Sequence, residues 1–219
     1  MEIVDKCTDL AVLSDFDGTI TETDTTATVF NKFITGDWRI FNEQLDRNEI
    51  TLEQCMREQF SMIKAPKQAI LNESELDAAF RPGFEELVHF CRDNQVPFEI
   101  VSAGLDFVIG HLLEVRGLDG MIKVRAARTR FTRDGIEMDS IEFHDRNSID
   151  FKEDLLNYYK NKGYFVLFIG DGMSDKGAAR SADYVFVIKG SRLAEFCKKE
   201  GINHQEISDF QEVIARIKD

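Results

Sequence analysis

Short apolar runs alternate along the chain with longer stretches in which apolar residues recur every three or four positions. The short runs predict strands at Leu10 to Phe16, Pro97 to Ser102, Met121 to Arg125, Tyr164 to Gly170 and Tyr184 to Ile188, with a weaker run near Gln205. The stretches between them read as helices. "RPGFEELVHFCRDN", for example, has Pro82 near its start and puts Phe84, Leu87, Val88 and Cys91 on one face. Strands alternating with helices predict an α/β fold with a Rossmann-like parallel sheet. Within "VRAARTRFTRDGIEMDSIEF" the alternation turns around Asp134-Gly135, which predicts a β-hairpin. Alternation also makes Arg128, Arg130 and Arg133 a solvated strand face rather than a phosphate patch.

One segment breaks the rhythm. From Asp24 to Phe80 there is no strand candidate, while Val29, Phe33, Phe41, Leu45, Leu52, Met56, Phe60 and Met62 recur at roughly helical spacing. A small all-helical cap inserted after the first strand is expected, at residues 21–80, with residues 1–20 and 81–219 forming the α/β core. An insertion there would lie over the carboxyl end of the first strand, where a lid belongs.

Composition narrows the partners. With 40 acidic against 27 basic residues, the formal charge of -13 would repel a nucleic-acid duplex or an anionic membrane. The partner expected is a small molecule, bound by a monomer or homodimer. The longest apolar runs are too short to span a bilayer, and "MEIVDKCTDL" has neither a basic n-region nor a cleavage pattern, so a cytoplasmic location is expected. Cys7, Cys55, Cys91 and Cys197 form no CxxC, and the four histidines add no ligand spacing, which argues against zinc and a disulfide framework.

The candidate chemistry lies at strand ends. In "VLSDFDGTITETD" an apolar strand runs into Asp15 and Asp17, two acids that repel each other. Ser102 follows "FEIV", Asp171 and Asp175 follow "YFVLFIG", and Lys152 opens a helix in "DFKEDLL". Ligands of parallel sheets bind beyond such ends. Crowded carboxylates call for a counter-ion, and an all-oxygen set suits Mg²⁺. Taken singly, Thr19 and Ser102 would be turn or cap hydroxyls, Asp175 a helix N-terminal acid and Lys152 a surface residue. Two acids ending an apolar strand are harder to explain structurally.

"DFDGT" at Asp15 to Thr19, Ser102 of "IVSAG", Lys152, and "GDGMSD" at Gly170 to Asp175 resemble, in order, the four motifs of the haloacid dehalogenase superfamily of phosphatases. The resemblance implies that Asp15 attacks phosphorus and carries an aspartyl-phosphate, while Asp17 serves as acid and base and binds Mg²⁺ through its backbone carbonyl. It implies a raised pKa for Asp17, beside other negative charge. Thr19 and Ser102 would donate to the phosphoryl oxygens, helped by N–H groups around Gly18, Ala103 and Gly104. Lys152 would supply positive charge. Asp171 would bind the metal directly and Asp175 directly or through water, with Gly172 allowing a tight turn.

The insertion resembles the small cap of the phosphoserine phosphatase branch. In "LEQCMREQFSMI", Gln59 falls where those enzymes hold the serine carboxylate with an arginine, and Arg57 lies two residues away. Asp24 falls at the position for the substrate ammonium, with a helix N-cap as its plainer reading. "SDFDGTITETD", "GDGMSDKGAARSADYVF" and "FCKKEGINHQEISDFQEVI" more closely resemble the neighbouring branch. That branch contains the methionine-salvage 2-hydroxy-3-keto-5-methylthiopentenyl-1-phosphate phosphatase and fungal polyol or sugar phosphate phosphatases. The chain lacks the Cys-rich sequence near Lys152 of some members. The expected function is Mg²⁺-dependent hydrolysis of a small phosphate monoester. Phosphoserine phosphatase and a non-catalytic phosphometabolite-binding regulator are the alternatives, the latter having no need of both Asp15 and Asp17.

Overall fold

The computed structural model describes residues 9–218; Cys7, the start of the expected segment 1–20 and Asp219 lie outside it. The strands are β1 (Leu10–Ser14), β2 (Phe98–Val101), β3 (Lys123–Arg125), β4 (Thr129–Thr132), β5 (Gly135–Met138), β6 (Phe165–Gly170), β7 (Tyr184–Ile188) and β8 (His204–Ile207). All but β4 and β5 form one six-stranded parallel sheet, ordered β3-β2-β1-β6-β7-β8. Central strands of such a sheet are covered on both faces and so read as continuous apolar runs. Ala11, Val12 and Leu13 of β1 and Val166 to Ile169 of β6 are all fully buried. The chain steps outward from β1 to β3, then returns to β6 on the other side of β1. That reversal leaves a crevice beyond the carboxyl ends of β1 and β6.

Helix α1 (Thr25–Phe33), α2 (Arg39–Asp46), α3 (Leu52–Ser61) and α4 (Lys67–Asp77) make up the cap inserted after β1. The cap has its own apolar centre, where Phe30 meets the rings of Trp38 and Phe60 at centroid distances of 5.1 and 6.2 Å. Thr51 and Gln54 close a reciprocal capping box that starts α3. The two chain crossings into the cap pair with each other: Glu22 N–H donates to Ala79 O and Arg81 N–H to Ile20 O, each at 2.8 Å. The remaining helices, α5 (Phe84–Asp93), α6 (Asp106–Val115), α7 (Phe151–Asn161), α8 (Lys176–Ser181), α9 (Arg192–Glu200) and α10 (Phe210–Lys218), belong to the core. Helix α5 buries the four residues its spacing predicts. No helix among the described residues is long and apolar enough to cross a membrane.

The β4-β5 hairpin turns at Asp134-Gly135 as the alternation predicts, and Arg130 sits on its exposed face with Glu137 and Asp139. Its other face has a use the sequence did not disclose. Ile136 and Met138 are buried, and the hairpin packs on α3, where Arg57 donates to Met138 O at 3.2 Å; Lys64, just past the helix, donates to Asp134 O. The cap is thus braced by a segment far along the chain.

Phe84 joins the hinge to the core: its ring lies 5.6 Å from Phe80, 6.1 Å from Phe98 and 5.7 Å from Phe210, centroid to centroid. Phe84→Ala should therefore cost about 3–5 kcal/mol of stability, and the better-filling Phe84→Leu about 1.5 kcal/mol or less. Urea unfolding midpoints of the two variants check this, and equal losses would contradict it.

Candidate active site

The ends of β1 and β6 and the start of α7 bring four charged side chains together. Lys152 is fully buried and donates to Asp15 Oδ1 at 2.8 Å and to Asp175 Oδ1 at 2.6 Å. Its position is fixed by Asp150, the N-cap of α7, whose Oδ1 accepts from the N–H groups of Lys152 and Glu153. The other oxygen of Asp175 accepts from the N–H groups of Asp171 and Gly172 at 3.1 and 3.0 Å, which folds the loop after β6 around one carboxylate. Carboxylate oxygens of Asp15, Asp171 and Asp175 lie within 4.8 Å of one another.

One ammonium faces three acids in this space. Burial and the charge of Asp175 raise the Asp15 pKa well above the ordinary carboxylate value, against the opposing pull of Lys152. Burial, then Asp175, push Asp171 up to about 7. Burial alone would lower the Lys152 pKa, but Asp15 and Asp175 outweigh it and raise it. An all-oxygen, net-negative, largely dry cluster fits a hard divalent cation such as Mg²⁺, which would relieve the repulsion that lifts these pKa values.

Asp17 stands apart from that cluster. Its carboxylate is held by the first turn of the cap: Thr25 Oγ1 and Thr26 N–H donate to Oδ1, and Thr26 Oγ1 donates to Oδ2 at 2.9 Å. Its pKa is raised, in the expected direction. Burial is the largest cause, while the threonine donors pull the other way. Gly104 makes the fit possible, because a Cβ there would collide with the Asp17 carboxylate and Thr26 Oγ1.

Several predicted residues take other posts. The Thr19 hydroxyl donates to Asp171 Oδ1 at 2.9 Å and does not line the cavity, because the left-handed turn at Gly18 (φ 75°) lays it against that acid. Gly18 N–H is used inside the same loop, by Thr23 O and Thr21 Oγ1, rather than facing a ligand. Gly104 N–H donates to Ser102 Oγ at 3.0 Å. Gly172 needs no special conformation (φ -104°), and its contribution is its N–H. Asp24 is the N-cap of α1, accepting from Ala27 N–H at 2.7 Å. It also lines the cavity; the residue is exposed, while the density of protein around its carboxylate, and then Asp17, push its pKa up to about 7.

Between cap and core lies a cavity of about 250 Å³. Asp15, Asp17, Ser102, Ala103, Gly104 and Asp171 line its floor, and Phe30, Trp38, Leu45, Leu52 and Met56 of the cap line its roof, with Met173 from the core. Gln59 lines it too, but its amide nitrogen is committed to Trp38 O at 3.2 Å and Asn42 Oδ1 at 2.8 Å. Arg57 is turned away to the hairpin. Among the described lining residues the cation is Arg192, paired with Asp46 of the cap at 2.5 Å. Lys176 reaches Asn48 Oδ1 at 2.6 Å across the same seam. Sequence reasoning missed Thr25, Thr26, Asp46 and Arg192; the Asp-Thr-Thr run was visible only as a helix-start signal.

Comparisons with known proteins agree with this geometry. A family model described as haloacid dehalogenase-like hydrolase matches residues 12–180. A 2-hydroxy-3-keto-5-methylthiopentenyl-1-phosphate phosphatase of Brevibacillus brevis is 28% identical over 210 residues, covering 94% of this chain and 93% of its own. The enzyme of the same name from Bacillus velezensis is 28% identical over 207 residues, covering 92% and 87%. A substrate-bound phosphoserine phosphatase structure superposes with a TM-score of 0.70 over 96% of this chain and 99% of its own, at 17% identity, a likeness of fold.

Acids whose folded pKa lies above the unfolded value bind more protons when folded, so their contribution is present at low pH and fades as pH rises through the folded pKa. For Asp171 that window runs from its ordinary value of 3.8 to about 7. In EDTA the wild-type melting temperature should therefore fall more steeply across this window than that of Asp171→Asn. Millimolar Mg²⁺ should flatten the wild-type curve selectively. Parallel curves for the two proteins in EDTA would contradict the placement of this charge.

Proposed function

Since the chain belongs to the haloacid dehalogenase-like hydrolases and is a phosphoric monoester hydrolase, we propose that it hydrolyses a small phosphate monoester with an uncharged, partly apolar body through an aspartyl-phosphate on Asp15. Keto-sugar and polyol phosphates belong to this class. The methionine-salvage intermediate named for the relatives suits it best. The observation that carries this reading is the cavity roof. A thioether tail gains from contact with Phe30, Trp38 and Met56. A substrate carboxylate would find Gln59 committed to Trp38 and Asn42, Arg57 bound to the hairpin and Arg192 already paired.

In the proposed reaction Asp15 attacks phosphorus as the bond to the ester oxygen breaks. Lys152 donates to Oδ1 of Asp15, which leaves Oδ2 for attack and keeps positive charge beside the transferring group. Asp17 gives its proton to the departing oxygen, so that the product leaves as an alcohol. It then takes a proton from the water that releases phosphate and restores Asp15. Thr25 and Thr26 suit both protonation states of Asp17, because a hydroxyl can donate to a carboxylate or accept from a carboxylic acid. Ser102, at the cavity floor, offers a hydroxyl to the phosphoryl oxygens. Mg²⁺ bound by Asp15, Asp171 and Asp175, with the Asp17 carbonyl, would supply neutralising charge for the phosphoryl group.

Asp15→Asn should lower turnover by more than about a thousandfold while leaving the melting temperature near that of the wild type, since the covalent route is lost. Near-wild-type kinetics would sink the mechanism. The substrate reading is tested by kcat/KM for the methylthio keto-phosphate, a keto-sugar phosphate, glycerol phosphate and phosphoserine, each with Mg²⁺ and with EDTA. The methylthio compound should rank first and phosphoserine last, with activity lost in EDTA. Phosphoserine at the top would transfer the assignment to a serine phosphatase with Asp24 as its ammonium partner.

A further inference from the structure

Arg81 stands where the cap rejoins the core, and its half-buried guanidinium is spent on backbone carbonyls. Nε donates to Thr19 O at 2.8 Å, Nη2 to Gly18 O at 2.9 Å and Nη1 to Ser208 O at 3.3 Å. Its own N–H donates to Ile20 O, so the residue grips the loop after β1 from backbone and side chain together. Among the described residues it makes no ion pair within 4.0 Å. The fork of an arginine is stiff enough to hold two adjacent peptide planes at once, which a lysine cannot do.

The two gripped carbonyls belong to Gly18 and Thr19, the residues that touch Asp171. Thr19 Oγ1 donates to Asp171 Oδ1, and Gly18 packs so close that a Cβ would lie 2.5 Å from Asp171 Oδ2. Gly18 is in the left-handed region (φ 75°), a conformation that a glycine turn occupies without being confined to it. Hydrogen bonds inside the loop occupy the N–H groups of Gly18 and Thr19, with Thr23 O and Phe16 O as acceptors, and the Arg81 fork engages the two carbonyls on the outer side of the turn. We propose that Arg81 is a positioning residue for the divalent-cation site: by locking the Gly18-Thr19 turn it aims Asp171, and so sets the cation affinity of the acid cluster from the cap hinge. This rests on the reading of Asp15, Asp171 and Asp175 as the cation site.

The test compares wild type, Arg81→Lys, Arg81→Met, Thr19→Val, the Arg81→Lys/Thr19→Val double variant and Asp171→Asn. The readouts are direct Mn²⁺ binding, from the electron paramagnetic resonance of free Mn²⁺ without substrate, and thermal unfolding in EDTA. Arg81→Met should weaken Mn²⁺ binding about tenfold, and Arg81→Lys by about threefold, since it keeps the charge and loses the fork. Because the locked turn meets Asp171 through both the Thr19 hydroxyl and the packing of Gly18, the double variant should lose less Mn²⁺ affinity than the sum of the two single losses; fully additive losses would overturn the route. Should Arg81→Met fail to fold, Arg81→Lys decides. Weaker Mn²⁺ binding at an unchanged melting temperature supports the inference. Wild-type Mn²⁺ binding overturns it, whether or not the melting temperature falls. Asp171→Asn separates the two levels. If it loses Mn²⁺ while the Arg81 variants keep it, only the role of Arg81 falls; if it keeps Mn²⁺, the cation site itself was misread.

Discussion

Three carboxylates and one ammonium packed at the switch point of a parallel sheet set the terms for the rest of this structure. Their mutual repulsion is a fold-level cost, and the surroundings are built around containing it. Lys152 is buried between Asp15 and Asp175, Asp150 anchors the helix turn that carries the lysine, and two backbone N–H groups close on the second oxygen of Asp175. A buried ion cluster of this kind is weak evidence for stability, since desolvation offsets much of the attraction. It is better understood as strain held by the strands on either side, whose apolar residues are fully buried.

The cap does more than cover the crevice. Among the described residues its first turn supplies the side-chain donors that hold Asp17, so the residue proposed as acid and base is shared between two layers of the molecule. On its far side the cap rests on the β4-β5 hairpin, and along the seam Asp46, Asn48 and Glu53 meet Arg192, Lys176 and the Phe151 N–H. These polar clasps at the rim are individually weak where exposed. The seam thus has apolar packing inside and polar clasps outside, the make-up of an interface between parts of one chain.

The sheet was legible because its central strands are buried on both faces, so that "LAVLS" and "FVLFIG" stand out without help from period. The acids were legible for the opposite reason: charge at the end of such a run has no structural excuse. Directions of side chains were not. Thr19 carries the expected hydroxyl, yet a single positive φ at Gly18 turns it to Asp171. Arg81 was invisible because its partners are carbonyls, which every residue possesses and no spacing advertises. The underside of the hairpin was missed because alternation tells which residues share a face, and says nothing about what that face meets.

The strand order has a consequence for how the protein is born. Leu10 pairs with Phe165, and Val12 with Phe98, so the central strand waits for partners synthesised long after it. Contacts of such long range are slow to form. The cap helices pack among themselves over a short span of chain and can condense early, while β1 leaves the ribosome with Asp15 and Asp17 still in water. Asp171, Asp175 and Lys152 join them only when the last third of the chain arrives. Asp15, Asp171 and Asp175 are therefore crowded together only once the sheet that confines them exists, and the nascent protein is spared its most costly electrostatic feature until it can be contained.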